Sequence, residues 1–149
     1  VEVHVDLHAT SHALGTPYRT AVPLQPGLSS RIEITVTETD TADALGSGDV
    51  PVLGTPRLVA LCEAACVQAI SGQLGEGETT VGMRVQLDHL APTAVGKTVT
   101  ADVTLEKVEG RRLTFTASAS DANGLIGAGK FTRAVVERET FLKRALHEG

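Results

Sequence analysis

The chain has almost no aromatic side chains. Its 149 residues include three phenylalanines, one tyrosine and no tryptophan. Proteins that bind single-stranded nucleic acid stack bases on aromatic rings, and there is little here to build such a platform from. Positive charge is also short. Thirteen lysines and arginines stand against 18 aspartates and glutamates, a formal net charge of -5. An acidic balance argues against a nucleic-acid partner. The deficit is local: residues 1–75 hold three basic and eight acidic side chains, and residues 76–149 hold ten of each. There are only two cysteines, Cys62 and Cys66, both in one apolar segment. That is neither a disulfide framework nor a zinc pattern, and it points to a reducing cytoplasm. No run approaches the roughly 18 apolar residues of a membrane span, so no membrane partner is expected. The start, VEVHVDLHATSHAL, is acidic and alternating, where a secretory signal needs a basic end and an apolar run. Neither a G-x-S-x-G elbow nor a P-loop is present.

What remains is an ordinary globular balance, 42% hydrophobic and 21% charged. The length suits one domain of about 100–150 residues. The reading is a single domain over 1–149. Residues 1–29 form an extension without an assigned role, 30–138 form the core, and 139–149 form a C-terminal helix.

The hydrophobic pattern orders the elements. Val1, Val3, Val5 and Leu7 alternate with Glu2, His4, Asp6 and His8, which predicts a short strand. Ile32, Ile34 and Val36 alternate again over residues 31–38. A polar, glycine-rich loop follows, with one helical turn. Thr55-Pro56 then opens a helix whose Leu58–Ile70 stretch, LVALCEAACVQAI, has eleven apolar residues in thirteen. A helix apolar nearly all round should be enclosed by the fold. After QLGEGETT the period changes to two. Met83, Val85, Leu87 and His89 share one strand face, against Arg84, Gln86 and Asp88. Strands near 99–106, 113–120 and 125–136 follow, joined by turns at Glu109-Gly110-Arg111 and Asn123-Gly124. Short turns imply an antiparallel meander. The fold class is therefore α+β: an antiparallel sheet wrapped around a central apolar helix, the hotdog arrangement. Such a sheet has an exposed edge and covers one helix side poorly, so a homodimer is expected, or a tetramer of paired dimers.

A few residues stand out against this plan. Glu63 lies inside the apolar helix. A carboxylate there must be hydrogen-bonded, paired or protonated; it is either a structural partner of an arginine or a reacting group. His89 ends its strand in phase with the helix-facing residues. It is either a core histidine satisfied by a carbonyl or an acid–base group. Thr55 caps the helix, or its hydroxyl acts on a carbonyl beside the free helix amides. Thr55 and Glu63 lie about 12 Å apart along the axis, too far for direct contact. Arg133, in phase with Phe131 and Val135, needs an anion of the protein or of a ligand. Gly127 and Gly129 permit close backbone approach or a bulge. His4, Asp6, His8 and His12 read as a solvated face rather than metal ligands. Cys62 and Cys66 read as core filler.

Three stretches then carry a resemblance: GTPRLVALCEAACVQAI, VGMRVQLDHLAPTAVGKTVTADVTLEKVEGRRLTFTASASD and IGAGKFTRAVV. Together they closely resemble the fluoroacetyl-CoA thioesterase-like branch of the hotdog thioesterases, over about residues 48–138 and more weakly at 31–38. The resemblance implies a dimeric enzyme that hydrolyses short acyl-CoA thioesters. The family's catalytic threonine, glutamate and histidine fall on Thr55, Glu63 and His89. Its acyl-holding glycine falls on Gly82 and its arginine on Arg133. No metal or cofactor is implied, CoA being part of the substrate. The fluoroacetyl-specific member has phenylalanines in the loop before the helix. Here the loop from Thr41 to Gly54 has no aromatic residue, and Gly46 and Asp49 stand at the aligned positions. A general short- or medium-chain acyl-CoA is the expected substrate. Arg111, Arg112 and Lys107 are candidates for the CoA phosphates. An enoyl-thioester hydratase and a non-catalytic acyl-CoA-binding module are the alternatives.

Overall fold

The computed structural model describes residues 24–147. The strand expected at 1–8 and the histidines at 4, 8 and 12 lie outside these residues. Strand β1 is Ser29–Thr35. A 3-10 turn at Glu38–Asp40 and a short helix α1, Ala42–Leu45, follow it. The long helix α2 is Thr55–Ala69. Four strands come next: β2 Glu78–His89, β3 Thr98–Glu109, β4 Arg112–Asp121 and β5 Gly124–Glu137. Helix α3, Arg138–Leu146, closes the described chain. No described helix is long and apolar enough to cross a membrane.

The five strands form one antiparallel sheet in the order β1-β3-β4-β5-β2. The order follows from the turns. Two-residue connections join β3 to β4 and β4 to β5, so each pair must be neighbours. The second turn sits at Ala122-Asn123, one residue earlier than the Asn-Gly signal suggests, with Gly124 opening β5 opposite Asp121. Alternation sets the buried face. Val99, Ala101, Val103 and Leu105 of β3 and Leu113, Phe115, Ala117 and Ala119 of β4 are all buried. Onto them α2 lays Leu58, Leu61, Cys62, Ala65, Cys66 and Ala69. The alanines keep the sheet low beneath the helix. Ser30 Oγ donates to the Ala65 carbonyl at 2.7 Å and tethers the helix to the β1 edge.

Helix α2 packs mainly on β1 and β3, toward one side of the sheet. Its burial is therefore one-sided. Ala60, Ala64 and Gln68 are exposed, and Val59, Glu63 and Val67 are half-buried. The enclosure predicted from an all-round apolar helix is not completed by the described chain. Strand β2, at the far edge, is correspondingly bare. Met83 and Val85 are 50% and 41% exposed.

The glycines of β5 show why that strand sits so close to β2. A Cβ on Gly129 would strike the carbonyl oxygen of Gln86 and come within 2.8 Å of Leu87 Cα. Backbone cannot swing aside as a side chain can. Gly129→Ala is expected to cost about 1–3 kcal/mol, the range for forced overpacking, and to lower Tm by several degrees, as urea and thermal unfolding would measure.

Candidate active site

The first turn of α2 meets the last residue of β2. Gly54 is the N-cap, with no side-chain cap, and Thr55 is already helical. The threonine hydroxyl therefore does not cap the helix. It lies 2.8 Å from Nδ1 of His89. His89 pairs across to Gly127, which keeps its ring on the helix side. The Arg57 and Leu58 amides turn back to the Gly54 carbonyl. The Thr55 amide is left at the helix start without an intrahelical partner. Burial pushes the His89 imidazole below its ordinary value of 6.5, opposed by the nearby Ala91 backbone. That backbone group falls short of hydrogen-bonding geometry, since the buried Nε2 has no hydrogen-bond partner among the described residues. A neutral imidazole beside a hydroxyl can accept its proton.

The second cluster lies two turns along the helix. Arg133 is 8% exposed. Its Nη1 donates to Glu63 Oε2 at 3.3 Å, and its Nε and Nη2 donate to the Thr80 hydroxyl and carbonyl, each at 3.0 Å. Glu63 is thus paired with an arginine, and its side chain stays 33% exposed on the open stripe of the helix. Gly82 sits opposite Arg133 in the ladder. A Cβ there would come within 2.6 Å of Glu63 Oε2. Strict alternation would set Gly82 on the face of Arg84, Gln86 and Asp88. A bulge between Gly82 and Arg84 inserts Met83 and brings Gly82 onto the face of Val85, Leu87 and His89. Sequence reading gives Thr80 no role and leaves it in a loop. Its signal is position: once the bulge is known, Thr80 is in phase with Gly82.

Of the five candidate residues, the structure brings Thr55 to His89, and Glu63 to Gly82 and Arg133. No hydrogen bond joins the two groups among the described residues. Helix α2 links them, carrying one member of each. A cleft of about 380 Å³ opens beside the Thr55–His89 pair. Val50, Val52 and Leu53 of the loop before the helix wall it on one side, and Leu90 and Pro92 on the other. Its rim includes Ser47 and Asp49.

Other candidates sit apart. Burial pushes the thiols of Cys62 and Cys66 up to about 11 and about 12, so both remain protonated core filler. Arg111 bonds the Val135 carbonyl and lies 3.5 Å from Glu78. Among the described residues no group of three or more His, Cys, Asp or Glu is placed to hold a metal ion.

Residues 36–139 match the family model described as fluoroacetyl-CoA-specific thioesterase. The fluoroacetyl-CoA thioesterase of Streptantibioticus cattleyicolor is 42% identical over 90 residues, 60% of this chain and 65% of that one. The match thus spans slightly less than two thirds of that relative. Among solved structures, a Thr→Ser variant of fluoroacetyl-CoA thioesterase in complex with acetyl-CoA is similar with a TM-score of 0.78 and 32% identity, over 83% of this chain and 97% of that chain. A hot-dog-like protein from Thermanaerovibrio acidaminovorans gives 0.75 and 28%, over 81% and 90%. The antiparallel sheet with its long apolar helix is a hotdog fold, and the chain belongs to the fluoroacetyl-CoA-specific thioesterase family.

Proposed function

We propose that this protein hydrolyses short- or medium-chain acyl-CoA thioesters to the free acid and CoA. The observation that carries the reading is the 2.8 Å contact between Thr55 and His89, at a helix start beside an apolar cleft. The relatives add support, since one was solved with acetyl-CoA bound. Thr55, Glu63 and His89 form the reaction centre, and Gly82 and Arg133 hold the substrate side. The thioester carbonyl lies near the helix start, where the Thr55 amide stabilises the developing oxyanion. Oxygen bonds to the acyl carbon and the C–S bond breaks. In direct hydrolysis His89 takes the proton of the attacking water and returns it to the departing sulfur. Where Glu63 attacks, CoA leaves as the thiolate and His89 takes the proton of the water that opens the resulting anhydride. Glu63 either activates the water or attacks the acyl carbon to give a mixed anhydride that water then opens; trapping with hydroxylamine separates these routes. The balance consumes only thioester and water, with CoA entering as part of the substrate. A homodimer covers the bare stripe of α2 and the free edge of β2. The buried thiols suit a reducing cytoplasm.

Release of CoA thiol from a panel of acyl-CoAs, acetyl to decanoyl with fluoroacetyl included, tests this reading. His89→Ala should lower kcat by about 10²–10⁴-fold, the range of acid–base catalysis, and Glu63→Gln should also abolish most turnover, both with folding intact. A folded protein that releases no thiol from any ester overturns the reading, and water addition to an enoyl-CoA would replace it with the hydratase.

Gly82→Ala separates site from fold. The new Cβ strikes the flexible end of Glu63 and reaches Arg133 Nη1 at an ordinary 3.5 Å. Arg133 keeps its two bonds to Thr80, so Tm should fall less than in Gly129→Ala. Displacement of the carboxylate from Arg133 should nevertheless cost at least about ten-fold in kcat/KM, since small misplacements cost that much.

The pH profile follows from His89. Its folded-state value is depressed by burial. The neutral base persists below the ordinary histidine range, and the acid limb of kcat/KM should lie below 6.5. The same sign governs stability. The unfolded chain binds the proton more readily, so this contribution is present above the ordinary value and is lost as pH falls through the folded one. Rate and unfolding measurements across pH 4–8 should move together.

A further inference from the structure

The cleft beside Thr55 and His89 discriminates by charge as well as by size. We propose that it selects acyl groups bearing no charge, and that Asp49 rejects acyl groups ending in a carboxylate. The inference rests on the thioesterase reading and names its substrate class. Asp49 lines the same cleft as Thr55 and His89, and among the described residues no lysine or arginine lines it. The walls, Val50, Leu53, Leu90 and Pro92, are apolar. They favour methylene and methyl groups by burial. An acyl carboxylate entering there would lose its water and meet a like charge.

Among the described residues, no arginine at either end of the site is free to compensate. Arg57, on the first turn of α2, bonds Asp40 at 2.9 Å. Arg133 has all its described bonds with Thr80 and Glu63. His89, uncharged near neutral pH, supplies no cation. Farther along the helix, the Glu63 carboxylate already occupies the one face that Arg133 turns toward it. Among the described residues no cation is therefore left to receive an anionic acyl group, and Asp49 is the one charged side chain that lines the cleft. It is exposed, so changing it does not disturb the core.

The test compares matched thioesters that differ only by methyl against carboxylate: propionyl-CoA with malonyl-CoA, and pentanoyl-CoA with glutaryl-CoA. The wild type should prefer the neutral member of each pair by about ten-fold or more in kcat/KM. Asp49→Asn should narrow that preference by about three- to five-fold, and Asp49→Lys further. Raising the salt concentration should narrow it in the wild type and much less in Asp49→Asn. Equal rates within a pair, or a preference unchanged in both variants, would overturn the inference. Binding of non-hydrolysable thioether analogues of the same pairs, measured by calorimetry, repeats the comparison without turnover. If no thioester is cleaved but the analogues still sort by charge through Asp49, the thioesterase reading fails and the charge selection stands. If thioesters are cleaved without charge preference, the reverse holds.

Discussion

A guanidinium enclosed between a sheet and a helix must find acceptors for its donors, because a buried charge left unpaired is strongly destabilising. Arg133 meets that demand with three bonds to two residues on two different elements. Thr80 holds it from the neighbouring strand, through hydroxyl and carbonyl. Glu63 holds it from the helix above. These bonds fix where β2, β5 and α2 stand relative to one another at this end of the sheet. They also dictate the one residue type that fits between them, since the space a Cβ would take at Gly82 already belongs to the glutamate. The bulge after Gly82 is part of the same arrangement. Without the inserted Met83, the upstream and downstream halves of β2 could not both present their proper faces to the helix.

The two clusters of the site share a pair of carriers. Helix α2 bears Thr55 and Glu63; strand β2 bears His89 and Gly82. The helix start meets the strand end, and the helix middle meets the strand middle, so the two elements run in opposite senses. Rigid carriers hold reacting groups more closely than loops do. The open side of this arrangement is the one that α2 leaves uncovered by packing toward β1 and β3.

Much of this could be read from sequence, for identifiable reasons. Period-two alternation is a strong signal when one face is buried, so β3, β4 and β5 were legible to within a few residues. Glu63 and Arg133 were conspicuous because charge in an apolar context needs an explanation. Their mutual pairing was one of several open possibilities, and only three-dimensional proximity selects it. Two points needed the structure, for local reasons. Thr55 looks like a cap because threonine before an apolar helix usually is one; Gly54 takes that position instead and releases the hydroxyl toward His89. Which side of α2 stays open was not legible, because composition reports that a surface is apolar, not what covers it. The bulge, and with it Thr80 and the orientation of Gly82, left no mark in the alternation, because an inserted methionine imitates an ordinary strand residue.

The segment before α2 has a separate scaffold. Its backbone closes on itself and on the neighbouring turn: Ala42 donates to Val52, Ser47 to Ala42, and Leu53 to Thr93. Its shape therefore depends on main-chain bonds that almost any side chain leaves intact. Among the described residues, the backbone bonds of residues 46–50 stay within this segment, to Ala42 and Asp43, and none reaches α2 or β2. The cleft's rim and the polar contacts behind it are thus held by different parts of the chain. A side-chain change at Asp49 can therefore reshape the rim and leave the Thr55–His89 contact and the Arg133 pairing in place.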